Sequence, residues 1–239
     1  MAMDPESRKK LQVVLLIALV LAGGRAAYIV YDRYQERKEA EKPKQQEVLN
    51  ADYYVNPRRL RPYDLKSARE LTKQPVWVKV GYGNTFYPYD VARRKTDFAH
   101  EAGTLPPLQK LQIQDVVTDV APNAPGKQLL ARFELDGKPY AVPIGVVQDV
   151  DFRIYSDDMF FIQDPHDLYK HWTADAWKAI ESHEVRPGMN ELQTGFALGL
   201  GIPQGSGNYG SRTLHYANGG KPVTVTFRND KAVEIVPGA

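Results

Sequence analysis

The sequence of 239 residues is 43% hydrophobic and 25% charged, a balance that excludes a disordered or fibrous chain over most of its length. A formal net charge of +2 provides no overall attraction to nucleic acid, so binding that depends on bulk positive charge is excluded. The chain has no cysteine, which excludes disulfides, thiol catalysis, thiolate metal sites and attachment through a lipidated cysteine.

An apolar segment near the N-terminus predicts a membrane anchor. Residues 11–31 are largely apolar and follow three basic residues, Arg8, Lys9 and Lys10. About 20 apolar residues span a bilayer as a helix. We therefore expect residues 1–31 to be a signal anchor whose transmembrane helix, 11–31, contacts membrane lipid. A signal sequence that is cleaved close to Gly24 is the alternative.

A polar stretch follows the apolar segment. Residues 32–74 are predicted to be a stalk and linker, because 32–47 is almost wholly polar and Pro43 interrupts a continuing helix. Arg58 and Arg59 lie close to two tyrosines and are candidate binding residues for anionic lipid or a partner protein. An ordinary exposed connector is the alternative interpretation of this basic segment.

The middle of the chain, residues 75–156, is predicted to be a β-rich domain. Apolar runs at 76–80 and 129–135 favour strands, and turns are predicted at 123–126 and at Asp136–Gly137. Short strands separated by turn residues are typical of a small antiparallel barrel or sandwich. In this respect the region is similar to bacterial Src-homology-3-like barrels.

The C-terminal region, residues 157–239, predicts two helices followed by three strands. The helices are expected at 174–182 and from the N-cap Asn190 to Leu198. The glycine-rich stretch 199–210 after them is interpreted as a flexible loop. The strands are expected at 211–216, 222–228 and 231–236. The predicted fold class is α+β: a transmembrane helix, a β-rich middle domain and a C-terminal ααβββ module.

Alternation along one C-terminal strand predicts which residues form the core of this module. Val223, Val225 and Phe227 share one face, and Thr224 and Thr226 lie on the other. Since one strand buries one face, we expect the apolar face to contact the two helices. The helical half of the core is expected to consist of Trp177, Ile180, Leu192, Phe196 and Leu198.

The C-terminal region resembles the SmpA/OmlA family, the BamE-like domain of outer-membrane assembly lipoproteins. The matching stretches are 185–190, 198–199, 202–203, 223–227 and 231–235. The resemblance implies a scaffolding domain of the bacterial envelope. Members of the family carry a lipidated cysteine, which this chain lacks, so only the fold and the scaffolding tendency carry over.

The predicted cellular location of the protein follows from the same resemblance. Basic residues flank the apolar segment on both sides, so charge alone does not decide its orientation. The resemblance implies a single-pass protein of the bacterial inner membrane with its globular part in the periplasm.

No catalytic, metal or cofactor site is predicted. His166 and His171 are five residues apart, whereas helical metal-ligand pairs are three or four apart. The glycine-rich stretch has a helix before it and a strand after it, which is the reverse of a phosphate-binding loop. Tyr209 and Arg212 are the candidate partner-binding residues here, because tyrosine and arginine are common anchors of interfaces.

These observations predict a membrane-anchored envelope protein that is a non-catalytic interaction or assembly subunit of a membrane complex. Its expected partners are other membrane or envelope proteins, and no nucleic acid. Two alternatives stay open. One is an envelope module that binds the cell wall through aromatic residues of the barrel, and the other is an enzyme of unrecognised type.

Overall fold

The structure, a computed structural model, describes residues 23–35, 51–81, 84–122 and 126–238. Residues 11–22 of the predicted anchor helix, residues 36–50 of the predicted stalk and linker, and residues 123–125 of the predicted turn therefore lie outside the described residues. The chain divides into two compact units, Met1–Tyr53 and Tyr54–Ala239.

The first unit contains helix α1, residues 23–35, whose side chains are exposed. Among the residues that the structure describes, no helix combines the length and the apolar character that a membrane crossing requires. The described helical residues 23–35 include three charged side chains, those of Arg25, Asp32 and Arg33. The predicted transmembrane helix was therefore wrong.

The second unit is a mixed α/β structure with three antiparallel sheets, one of which curls into a half-barrel. Its helices are α2 (Leu65–Ala68), α3 (Ser156–Met159), α4 (Pro165–Leu168), α5 (Ala174–Glu181) and α6 (Glu191–Leu198). Short 3-10 helices cover Ala51–Tyr54, Arg69–Lys73 and Asn218–Gly220.

The strands of the first two sheets belong to the middle of the chain. They are β1 (Val76–Val78), β2 (Thr85–Asp90), β3 (Lys95–Thr96), β4 (Gly103–Thr104), β5 (Lys110–Leu111), β6 (Ile113–Asp119), β7 (Lys127–Leu135), β8 (Lys138–Gln148), β9 (Asp151–Ile154) and β10 (Phe160–Phe161). The third sheet follows at the C-terminus. It contains β11 (Gly201–Asn208), β12 (Ser211–Tyr216), β13 (Val223–Arg228) and β14 (Lys231–Pro237).

The half-barrel has the strand order β3-β2-β8-β7-β6, with β4 paired to β2 and β9 paired to β8. The hairpin between β7 and β8 turns at Asp136 and Gly137, both with positive φ (51° and 72°), which aspartate and glycine tolerate. Along β7 the two-residue period places Leu129, Ala131 and Phe133 in the core with no exposed surface. The β-rich region therefore curls around a continuous apolar interior.

A small sheet, β10-β1-β5, lies between two hydrophobic cores. Phe160 packs in the half-barrel core, whereas its neighbour Phe161 packs in the core of the C-terminal module. Trp77 packs against the C-terminal core in the same way, while Val76 and Val78 on either side pack in the half-barrel. Because adjacent strand residues point to opposite faces, this sheet ties the two cores together.

The C-terminal sheet has the order β11-β12-β13-β14, with α5 and α6 contributing the rest of its core. Val225 and Phe227 are 0% and 1% exposed, and Val223 is partly buried beside them. The core expected from strand alternation is thus confirmed. Of the expected helical residues, Leu192 is partly buried and the following are buried: Trp177, Ile180, Phe196 and Leu198.

One strand of this sheet was missed by the sequence prediction. Residues 199–210, interpreted as a flexible loop, instead contain edge strand β11, so the module has four strands rather than three. Glycine allows the pairing, since a Cβ at Gly201 would lie 2.8 Å from the Tyr216 ring. Glycine and proline have low strand propensity, and contact with β12 overrides that preference here.

Removing the largest apolar side chain of β13 tests the assignment of its two faces. We expect Phe227→Ala to lower the free energy of unfolding by about 3–5 kcal/mol, because it leaves a cavity in a fully buried site. Thr226→Ala, on the opposite face of the same strand, is the matched control and should cost less than about 1 kcal/mol. Urea unfolding of both variants measures the difference, and equal losses would contradict the assignment.

Candidate functional site

A groove opens between loops of the half-barrel and the C-terminal module. Its larger part has a volume of about 900 Å³ and is lined from both sides, for example by Leu105 and Pro106 on one side and Leu198 and Ile202 on the other. A second cavity of about 530 Å³ adjoins it. The two cavities share the lining residues His183, Leu198, Asn218, Gly220 and Lys221. The two cavities therefore adjoin one another, and together we name them the junction groove.

The junction groove has mainly apolar walls near the half-barrel. Leu105 is buried, with its backbone N–H donating to the Asn84 carbonyl oxygen at 2.9 Å. Across the groove, Ile202 at the start of β11 is 56% exposed and Leu198 ends helix α6. These surfaces can bury apolar side chains of a ligand, which is the main source of binding free energy in such sites.

Asn84 is the most unusual polar residue in the lining. It is only 5% exposed, and its Nδ2 donates to the Lys79 carbonyl oxygen at 3.3 Å. Its Oδ1 is buried and accepts no hydrogen bond from any residue that the structure describes. An unsatisfied buried acceptor costs about 1–3 kcal/mol. Because this oxygen has almost no accessible surface, a ligand in the groove does not reach it without a rearrangement of its surroundings.

His183 has a defined tautomer in the groove. Its Nδ1 lies 3.0 Å from the Ala197 carbonyl oxygen, and since that oxygen only accepts, Nδ1 carries the proton. In the neutral ring Nε2 is therefore an acceptor. His183 lines both cavities, so this acceptor belongs to the shared part of the groove.

Lys221 supplies positive charge to the same shared part. It is exposed and lines both cavities. Within the described part of the chain it has no ion pair, whereas Glu184 of the second cavity is paired with Arg186 at 3.2 Å. The groove therefore combines an acceptor at His183 Nε2, a cation at Lys221 and apolar walls.

Arg212 has a structural partner that the sequence did not reveal. Its guanidinium is paired with the Glu191 carboxylate, with Nε to Oε1 at 3.1 Å and a second, shorter bond from Nη2. Hydrogen bonding to Glu191 raises the pKa of Arg212. The Glu191 side chain is only 6% exposed, and it also accepts from the Gly210 N–H at 2.9 Å. Arg212 thus points towards α6, away from the open face of the sheet.

Tyr209 is brought together with Arg212, while Arg58 and Arg59 lie on another segment. The Tyr209 ring is 5.6 Å from the Arg212 guanidinium, and Tyr209 is 48% exposed. The backbone N–H of Arg58 donates to Gln163 Oε1 at 2.8 Å. Both arginines expose their side chains, so the structure leaves them accessible to a partner.

His166 and His171 do not form a metal centre with other side chains. His166 lies between Asp164 (2.9 Å) and Glu181 (3.1 Å) and stacks on Trp177 with ring centroids 4.0 Å apart. Partial burial opposes protonation, but the hydrogen bonds to Asp164 and Glu181 outweigh it and raise the pKa of His166. In the described ranges of the chain, no group of three or more histidine or acidic residues is placed to hold a metal ion.

None of the binding candidates named from the sequence, Arg58, Arg59, Tyr209 and Arg212, lines the groove. Asn84, His183 and Lys221 come from loops far apart in the chain, and only the tertiary structure brings them together. The glycine-rich stretch 199–210 does contribute Gly199, Leu200 and Ile202 to the lining.

Comparison with known proteins finds no matching family model, no matching curated protein and no matching solved structure. The resemblances to BamE-like domains and to Src-homology-3-like barrels stay predictions from the sequence.

The Arg212–Glu191 pair predicts a loss of stability when the arginine is removed. Arg212→Ala leaves a buried carboxylate without its cation, and we expect the free energy of unfolding to fall by about 3 kcal/mol. Arg58→Ala is the control, because its exposed side chain should change stability by no more than about 0.5 kcal/mol. Urea unfolding curves of the two variants test this, and coincident midpoints would show that the pair contributes nothing.

Proposed function

We propose that this protein is a non-catalytic interaction subunit that holds an extended segment of a partner protein in the junction groove. The observation that carries the proposal is the junction groove, whose adjoining cavities have apolar lining residues from the half-barrel and the C-terminal module and share the cation Lys221. An extended peptide segment presents apolar side chains and main-chain polar groups that suit such a lining.

The dimensions of the groove favour an extended segment over a compact small molecule. Small-molecule sites have volumes of roughly 300–1,000 Å³. The larger cavity, at about 900 Å³, already lies near the upper limit, and the second cavity of about 530 Å³ lengthens it. An elongated occupant fills both parts and uses the walls on each side.

The chemical groups of the groove support binding and orientation. Lys221 offers three N–H donors, and His183 offers an acceptor at Nε2, because its Nδ1–H donates to the Ala197 carbonyl oxygen. A peptide main chain carries both donors and acceptors and matches this mixture. Apolar residues such as Leu198 and Ile202 add contact area for side chains.

The alternative function, binding of cell-wall glycan through aromatic residues of the barrel, has less support. Phe86 and Phe133 are buried in the half-barrel core and pack edge to face at 5.7 Å. Tyr140 packs on Phe86 at 5.0 Å. These rings contribute to the core and are not arranged as an exposed sugar-stacking surface. The expected partner is another envelope protein, and the location in the cell envelope stays a prediction from the sequence.

A charge placed in the wall of the groove tests the proposal. Ile202→Arg introduces a cation at an exposed groove position, and we expect recovery of the partner protein in a quantitative pull-down to fall at least about tenfold. Val233→Arg is the matched control, since Val233 is 50% exposed on the opposite edge strand of the same sheet. Both variants should melt like the unaltered protein.

Two outcomes would contradict the proposed function. One is equal recovery of the same partner with Ile202→Arg and with the unaltered protein. The other is an equal loss with Val233→Arg, which would assign binding to the open sheet rather than to the groove.

A further inference from the structure

The turn between β12 and β13 has a backbone shape suited to a negatively charged group. Ala217 is in the right-handed helical region (φ −71°, ψ −28°), and the next three residues have positive φ: 42° at Asn218, 59° at Gly219 and 92° at Gly220. Consecutive residues of opposite handedness direct their N–H groups to one side and form an anion-binding concavity. This turn, residues 217–220, lines the junction groove.

Two N–H groups of this turn are open to a ligand. The N–H groups of Gly220 and Lys221 donate to the carbonyl oxygens of Ala217 (3.0 Å) and Asn218 (3.1 Å). The N–H groups of Asn218 and Gly219 have no such bond to another described residue. A Cβ added at Gly219 or Gly220 would meet nothing within 4 Å, so the backbone here faces open space.

Lys221 adds a full positive charge directly after the turn. In the described part of the chain its ammonium has no carboxylate within ion-pair distance, and it is the only lysine, arginine or acidic residue in the larger cavity lining. Hydrogen bonds between an ammonium group and a carboxylate are roughly twice as strong as bonds between neutral groups. Charge and backbone geometry therefore select the same ligand group, a carboxylate.

The position of Lys221 distinguishes a side-chain carboxylate from a chain terminus. Lys221 lines both cavities, so it lies where they meet rather than at one end of the groove. A segment that fills both cavities passes this point with an internal residue. Its end would lie beyond the shared part.

We infer that the partner segment carries an aspartate or glutamate side chain that binds Lys221 and the 217–220 turn while its main chain runs along the junction groove. The inference rests on the proposed function and specifies its partner: an extended peptide with an internal acidic residue.

Peptide selection on the full chain tests this without knowledge of the natural partner. Two synthetic pools of random 12-residue peptides, one with amidated and one with free carboxyl termini, are selected on the unaltered protein, on Lys221→Glu and on Lys231→Gln, an exposed control on β14. We expect enrichment of aspartate or glutamate at one internal position on the unaltered protein and on the Lys231→Gln control. The Lys221→Glu variant should instead enrich lysine or arginine there.

Affinity measurements on the selected peptide complete the test. We expect replacement of its acidic residue by the corresponding amide to raise Kd about tenfold or more, and Lys221→Gln in the protein to raise it to a similar extent. The two changes combined should raise Kd little further than either change alone, because both remove the same ion pair. Selected peptides that bind in the groove with no acidic preference, or that bind only with a free carboxyl terminus, would overturn this inference and leave the proposed function standing. Failure to select any peptide that competes with the partner would overturn both.

Discussion

The buried carboxylate of Glu191 fixes the C-terminal module. It stands at the first position of α6 and accepts hydrogen bonds from the Gly210 N–H at 2.9 Å and from the Arg212 guanidinium. The backbone N–H of Glu191 donates to Asp230 Oδ1 at 3.2 Å. The backbone N–H of Asp230 in turn donates to the Gly210 carbonyl oxygen at 2.8 Å. One helix start is thereby tied to two of the three hairpin turns of the four-stranded sheet, those at Gly210 and Asp230. A carboxylate that is 6% exposed is costly without these partners, so the helix and the two hairpins depend on one another.

This constraint reaches the junction groove through α6. Asn190 caps the start of the helix with a reciprocal pair of bonds to Gln193, and Gly199 ends it with a φ of 93°. The last residue, Leu198, is part of the groove wall. The sheet between the two cores, with Phe160 on one side and Phe161 on the other, holds the opposite wall. A groove with both walls fixed before binding requires little ordering when a ligand arrives, which favours affinity.

The parts of the fold that the sequence predicted well depend on local rules. Strand alternation identified Val225 and Phe227 as core residues, and a polar residue before an apolar run identified Asn190 as a cap. The parts that were missed depend on distant partners. Strand β11 exists because β12 pairs with it, and Arg212 was interpreted as a free anchor because its partner Glu191 is 21 residues away. The transmembrane prediction rested on apolar composition, whereas the described helical residues 23–35 include charged side chains, and no helix among the described residues meets the requirements of a membrane crossing.

The most direct test of the account is to find out which surface touches the bound partner. A photo-cross-linking amino acid is introduced at Pro106 in the junction groove and, in a separate variant, at Val233 on the far edge of the C-terminal sheet. Both positions are exposed. The account predicts a strong cross-link to the partner from position 106, mapped by mass spectrometry to an extended segment, and little from position 233. A cross-link from position 233 with none from position 106 would contradict it.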